Sequence, residues 1–67
     1  MIIVSINGTT RELPDSTSIA ALIEEMNLTG KRIALERNGE IVPRSQFAVR
    51  QLANGDKLEV VVAVGGG

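Results

Sequence analysis

The most constraining feature of this sequence is a run of apolar residues near its end. Residues 58–64 are all apolar except Glu59, and four of them are valine. Valine favours strands because of its β-branched side chain, and a nearly continuous apolar run is typical of a strand buried on both faces. We therefore expect residues 58–64 to form a central strand, with other strands on both edges and cover on both faces.

Size and composition exclude several function classes. A chain of 67 residues has room for one domain, which we assign to residues 1–64, followed by a flexible glycine tail at residues 65–67. The sequence has no His and no Cys, which removes Ser-His and Cys-His nucleophile pairs and most zinc sites. We therefore expect no catalytic residues and no enzyme activity of the chain's own.

Charge and aromatic content argue against two kinds of partner. Seven Lys and Arg against eight Asp and Glu give a formal net charge of −1, and Phe47 is the single aromatic residue. Nucleic acids and anionic membranes attract basic surfaces, and single strands also stack on aromatic side chains. We expect neither as a partner. No signal peptide is recognisable at residues 1–6, which predicts a soluble, cytoplasmic protein.

Two Asn-Gly dipeptides predict β-hairpins. Asn7-Gly8 separates apolar residues 1–6 from residues 9–13, and Asn38-Gly39 separates residues 31–37 from residues 40–42. Asn-Gly tolerates positive φ at both positions, as a type I′ turn requires. The polar character of residues 9–13 is typical of an edge strand.

One helix is predicted between the two hairpins. Its apolar residues follow the helical spacing i, i+3, i+4, i+7, namely Ile19, Leu22, Ile23 and Met26. Ser18 is the preferred N-cap, with Thr17 second, and Gly30 suits a left-handed C-cap. After the second hairpin, residues 43–52 are expected to form a turn of 3₁₀ or short helix, with Phe47 and Leu52 in the core. Asp56 is assigned to the polar side of the turn at residues 53–56.

These elements define an α+β fold of order ββαββ-turn-β. The first and last strands are the most apolar, so we pair them in parallel through a right-handed crossover that includes the helix. This is the ubiquitin-like β-grasp arrangement, a mixed sheet packed on one helix.

Alternation along the strands divides their side chains between two faces. The face toward the helix is expected to contain Ile2, Val4, Ile6, Ile33, Leu35, Leu58, Val60 and Val62. The other face would contain Ile3, Ala34, Val61 and Ala63, an apolar patch suited to docking a partner. The alternative is that a loop or a second copy of the chain covers this face.

The remaining polar residues offer little chemistry. Glu24 and Glu25 are adjacent in a helix and do not face one another. Glu36, Glu40 and Glu59 are weak candidates for a metal site because of their strand order, so no metal is expected. Arg44 follows a short strand, in a loop where binding residues are common. It either binds a partner or is simply solvated or paired with a carboxylate.

The sequence ends in Gly65-Gly66-Gly67 after the strongest strand. Three glycines span at most about 10–11 Å and can enter a narrow channel. No Cβ crowds the carbonyl of Gly67, so its α-carboxylate is open to adenylation and then to a sulfur or nitrogen nucleophile. The alternative is a frayed or added end without function.

The sequence resembles the ThiS family, the sulfur carriers of thiamine thiazole biosynthesis, over its whole length. The segments that match are the start with its Asn7-Gly8, then Leu13-Pro14, the helix start at Ser18-Ile19, residues 34–45 (ALERNGEIVPRS), Asn54-Gly55-Asp56 and residues 63–67. The segment 34–45 is the most specific of them. One departure is that the helix start lacks the acidic residue often found three positions after the cap.

The resemblance implies a function. An adenylating enzyme of the ubiquitin-activating type would use ATP to form an acyl-adenylate at Gly67. A persulfide supplied by a sulfurtransferase would convert it to a thiocarboxylate, whose sulfur thiazole synthase would receive. The chain itself would bind no cofactor.

Three other functions remain open. The chain could be the small, sulfur-carrying subunit of molybdopterin synthase, although that family tends to be longer and richer in aromatic residues. It could be a ubiquitin-like modifier that is attached to lysines through Gly67. It could also be a β-grasp interaction module with an incidental tail.

Overall fold

The computed structural model describes residues 1–63, and its elements follow the predicted order. They are β1 (Ile2–Ile6), β2 (Thr9–Leu13), α1 (Ile19–Glu25), β3 (Ile33–Arg37), β4 (Glu40–Ile41), a 3₁₀ turn (Arg44–Gln46) and β5 (Lys57–Val62). The strands form one mixed sheet in the order β2-β1-β5-β3-β4. The ubiquitin-like β-grasp prediction is confirmed, as is the edge position of β2. No helix in the described range is long and apolar enough to cross a membrane.

Strand β5 is central, but only one of its faces is buried. It pairs in parallel with β1 and antiparallel with β3. Leu58 and Val60 are buried, whereas Glu59 and Val61 are exposed. The prediction of burial on both faces is wrong because one helix covers one face of the sheet. Val62, expected toward the helix, is 41% exposed because it is the last residue of the strand, at the border of the core.

Helix α1 begins as predicted and ends earlier than Gly30. The Ser18 Oγ accepts a hydrogen bond from the Ala21 N–H at 3.0 Å. The helix closes in a Schellman motif: Asn27 takes a φ of 60°, and the Leu28 N–H donates to the Ile23 carbonyl at 3.0 Å. The expectation that Gly30 forms the left-handed cap is therefore wrong, because Asn27 fills that role.

The loop after β4 completes the core and caps the helix. The Ile19 N–H donates to the Arg50 carbonyl at 3.0 Å, and the Ala20 N–H donates to the Phe47 carbonyl at 2.8 Å. These N–H groups have no partner within the helix. The expected burial of Phe47 and Leu52 is confirmed. The buried apolar side chains are Val4, Ile6, Leu13, Ile19, Leu22, Ile23, Leu35, Val42, Phe47, Leu52, Leu58 and Val60.

Both predicted hairpin turns have positive φ at both central residues, 51° and 84° at Asn7-Gly8 and 52° and 86° at Asn38-Gly39. Their asparagine side chains also bond to the main chain around β5. Asn7 accepts from the Val60 N–H at 2.8 Å and donates to the Val60 carbonyl at 3.0 Å. Asn38 accepts from the Lys57 N–H at 2.9 Å. The turns therefore fix the position of the central strand as well as joining hairpins.

Asp56, assigned from the sequence to the polar side of its turn, is buried. Its carboxylate lies 2.8 Å from the Arg37 guanidinium and accepts hydrogen bonds from the Ala53 N–H at 2.8 Å and the Asn38 amide at 3.1 Å. Burial alone would raise the pKa of Asp56. The hydrogen bonds from Ala53, Asn38 and Arg37 and the charge of Arg37 outweigh it, so this pKa lies below its ordinary value of 3.8.

We expect Asp56→Asn to lower the free energy of unfolding by about 2 kcal/mol at pH 7, because the amide leaves Arg37 without its charge partner and cannot make all of the carboxylate's hydrogen bonds. The folded-state pKa is depressed, so the stabilisation is present above the ordinary value of 3.8 and is lost as pH falls through the folded-state value. The measurement is urea unfolding at pH 7 and at pH 3. The difference in free energy of unfolding between the parent and Asp56→Asn should be smaller at pH 3.

Asp15→Asn is the matched control. Asp15 pairs with the terminal ammonium at an exposed site, so we expect a loss of at most about 0.5 kcal/mol. Equal losses of unfolding free energy for the two variants would contradict a stabilising role of the Asp56 carboxylate. So would a loss for Asp56→Asn that is the same at pH 7 and pH 3.

Candidate functional site

The predicted reactive end, Gly65, Gly66 and Gly67, lies outside the described residues, as does Val64. What the structure describes is the point from which this segment continues. Val62 is paired with Ile33, and the Ala63 N–H donates to the Arg32 carbonyl at 2.8 Å. The last described hydrogen bond of the chain thus lies beside the start of β3.

The four residues predicted for the outer face of the sheet are exposed there. Ala34 and Val61 lie directly opposite each other on β3 and β5, Ala63 follows β5, and Ile3 lies on β1. Ile3 is 47% and Val61 is 63% exposed. We call the side of the sheet away from the helix the open face. Within residues 1–63, no loop or helix buries these side chains.

Ile41 also belongs to the open face, and sequence reasoning missed it. It lies opposite Glu36 on the edge strand β4 and is 75% exposed. Its strand is short, so the alternation there was too brief to read. The next residue, Val42, is buried in the core. Because neighbouring side chains of a strand point to opposite faces, Ile41 lies on the other side of the sheet.

Two glutamates lie opposite each other on the open face. Glu36 on β3 is the register partner of Glu59 on β5, and Lys57 precedes Glu59 by two residues on the same side. Like charges directly opposite in a sheet are destabilising. The open face therefore combines apolar side chains with a local excess of negative charge.

The structure does not bring Glu36, Glu40 and Glu59 together into a metal site: residues 1–63 contain no group of three or more carboxylates suited to a metal ion.

In the described part of the chain, the Arg44 side chain bonds to the main chain and to no carboxylate. Its guanidinium donates to the Lys31 carbonyl at 2.6 Å, and it starts the 3₁₀ turn after Pro43. The side chain is otherwise exposed. Within residues 1–63 the Arg44 guanidinium forms no ion pair, and the choice between a partner-binding and a simply solvated Arg44 stays a prediction.

Comparison with known proteins identifies the family. The model of the ThiS family matches residues 4–67, nearly the whole chain. The chain belongs to the ThiS family. It is therefore a thiamine biosynthesis protein of a family of carriers, and the resemblance drawn from its motifs is confirmed.

Two curated proteins are similar to this chain over more than nine-tenths of its length. The thiazole synthase of Paramagnetospirillum magneticum is 44% identical over 62 residues, covering 92% of this chain but 19% of that protein. The chain thus spans about a fifth of that relative's length. The uncharacterized protein ycf40 of Pyropia yezoensis is 33% identical over 64 residues, covering 96% of this chain and 90% of that one.

The fold matches a solved ThiS structure. The crystal structure of the thiamine biosynthesis protein ThiS from Geobacter metallireducens superposes with a TM-score of 0.82 at 23% identity, covering 98% of this chain and 100% of that chain. An NMR solution structure of a thiamine biosynthesis protein from the same organism gives a TM-score of 0.79 at 25% identity, covering 98% of this chain and 88% of that chain.

We expect Glu59→Gln to raise the free energy of unfolding by about 0.2–1 kcal/mol, because it removes the cross-strand repulsion with Glu36. The gain should shrink at 1 M salt, where screening weakens the interaction between exposed charges. Glu24→Gln, an exposed site on α1 with the same change of charge, should leave stability unchanged. A Glu59 variant that is less stable than the parent at low salt would show that the carboxylate has a stabilising partner.

Proposed function

We propose that this chain is a sulfur carrier for thiamine thiazole synthesis, with Gly67 as the residue that is modified. The observation that carries the proposal is that the ThiS family match runs to residue 67 and so includes all three final glycines. Glycine has no side chain to obstruct attack at the carbonyl of Gly67. The chain has no Cys and no His, so both the sulfur and the catalytic groups must come from partners.

The chemistry proceeds in three steps. The Gly67 carboxylate attacks the α-phosphorus of ATP and displaces pyrophosphate, which makes the carbonyl a good electrophile. A persulfide sulfur then attacks that carbonyl and AMP leaves. The product is an acyl disulfide that joins Gly67 to the sulfur donor. A thiol then attacks the donor's sulfur in this S–S bond, so that the thiol and the donor form a disulfide and a thiocarboxylate remains on Gly67.

Three partners follow from this scheme. An adenylating enzyme of the ubiquitin-activating type charges the tail, consumes the ATP and docks on the open face through Ile3, Ala34, Val61 and Ala63. Thiazole synthase receives the sulfur. Its association with the carrier is supported by the Paramagnetospirillum thiazole synthase, which contains a segment similar to this chain within one polypeptide. A sulfurtransferase supplies the persulfide. All of these reactions take place in the cytoplasm.

The proposal predicts a change of mass. Incubation of the chain with ATP, the adenylating enzyme, the persulfide-loaded sulfurtransferase of the same organism and a thiol should replace one oxygen by sulfur, because the carboxylate becomes a thiocarboxylate. Intact-mass spectrometry measures the change and fragmentation locates it at Gly67. A variant lacking Gly66 and Gly67 is the control and should gain nothing.

Three results would contradict this function. Protein isolated from its own cells in isopeptide linkage to lysines, without any thiocarboxylate, would indicate a modifier. An unmodified chain in cells that are making thiazole would indicate an interaction module. A thiocarboxylate that is delivered only to molybdopterin synthase would retain sulfur carriage but replace the pathway.

We expect Val61→Asp to slow adenylation at least about tenfold, because it places a charge among the apolar side chains of the open face. A loss of about 1.4 kcal/mol in binding free energy corresponds to this factor of ten. Val49→Asp is the matched control. Val49 is 71% exposed, as compared with 63% for Val61, and it lies outside the sheet. The measurement is the rate of pyrophosphate release at a subsaturating concentration of carrier. Equal rates for the two variants would rule out the open face as the docking surface.

A further inference from the structure

A second surface lies on the helix side of the sheet, opposite the open face. It is a groove of about 280 Å³ between α1, residues 28–31, the start of β3 and the 3₁₀ turn. Its apolar walls come from Ile23, Leu28, Ile33 and Phe47. An apolar cavity of about 150 Å³ holds a benzene molecule, so this groove has room for a large apolar side chain.

The rim of the groove is positively charged. Lys31 and Arg44 line it, and none of its lining residues is acidic. Within residues 1–63 neither cation forms an ion pair, since the described ion pairs involve the terminal ammonium, Arg11 and Arg37. One N–H of Arg44 is used by the Lys31 carbonyl, which orients the guanidinium and leaves its other donors for a carboxylate.

The groove is also next to the end of β5. Ile33, which lines it, is the register partner of Val62. The following residue, Ala63, donates its N–H to Arg32, the neighbour of the rim residue Lys31. A partner segment held in the groove would therefore lie beside the place from which residues 64–67 continue.

We propose that this groove binds a segment of thiazole synthase that carries a large apolar side chain next to a carboxylate. The apolar side chain enters between α1 and the 3₁₀ turn, and the carboxylate pairs with Arg44 and Lys31. The identity of the partner rests on the proposed function, whereas the chemistry of the segment follows from the charges and walls of the groove. The sulfur acceptor and the adenylating enzyme then bind opposite sides of the same sheet.

The test is calorimetric titration of the full-length chain with thiazole synthase from the same organism, without ATP. Arg44→Glu should raise the Kd at least about tenfold, because it replaces an attractive charge by a repulsive one. Arg50→Glu makes the same change of charge at an exposed arginine outside the groove and should alter the Kd by less than about twofold.

Two further variants address folding and shape. Lys31→Glu should weaken binding in the same direction without loss of fold, because the Lys31 ammonium makes no hydrogen bond or ion pair within residues 1–63. Ala48→Trp keeps the charge and fills the groove from its exposed wall, so it should also raise the Kd at least about tenfold. Thermal unfolding of each variant confirms that the fold is retained.

Equal Kd values for the parent, Lys31→Glu and Ala48→Trp would overturn the proposal, as would equal losses at Arg44 and Arg50 or an absence of binding by the parent. Titration of the isotope-labelled chain with ATP alone should not shift groove resonances. A saturable shift there would assign the groove to a small anion instead. None of these readouts requires charging of Gly67, so thiocarboxylate formation stays a separate test of the proposed function.

Discussion

The structure depends on hydrogen bonding along both edges of β5. Its parallel pairing with β1 is short, with register partners at Ser5–Lys57 and Ile6–Leu58. The Asn7 side chain continues this contact beyond the end of β1 by bonding the N–H and the carbonyl of Val60. Before the strand starts, the Ile3 N–H donates to the Asn54 side chain at 2.8 Å. Asparagine amides thus supply main-chain-like bonds where the two strands no longer run side by side.

Much of the fold was predictable because its signals are local. The bounds of β2, the Ser18 cap and both Asn-Gly turns depend on neighbouring residues, and the structure has them where the sequence places them. Apart from the helix cap, which lies at Asn27 instead of Gly30, the failures involve contacts distant in sequence. Burial of Asp56 depends on Arg37, which is far along the chain. One face of β5 is uncovered because, within residues 1–63, a single helix covers the sheet. The apolar run of residues 58–64 does not indicate how many helices pack on the strand.

The candidate site divides in the same way. Ile3, Ala34, Val61 and Ala63 were assigned to one face by alternation alone, and they lie there. The groove beside Arg44 was not predicted, because its walls come from the helix, a loop, a strand and the 3₁₀ turn. The overall net charge of −1 does not predict the positive charge of this groove. Two cations lie at its rim and two glutamates lie on the open face, so their charges cancel in the sum.

The hydrogen bond between the Ala63 N–H and the Arg32 carbonyl sets a limit on any enzyme that acts at Gly67. Four residues follow Ala63 up to Gly67, and fully extended they reach about 13–14 Å. While that bond is intact, the reacting atoms of an enzyme have to lie within this radius of the sheet's end. A catalytic chamber deeper than that would have to peel the end of β5 away from β3, at a cost in binding free energy.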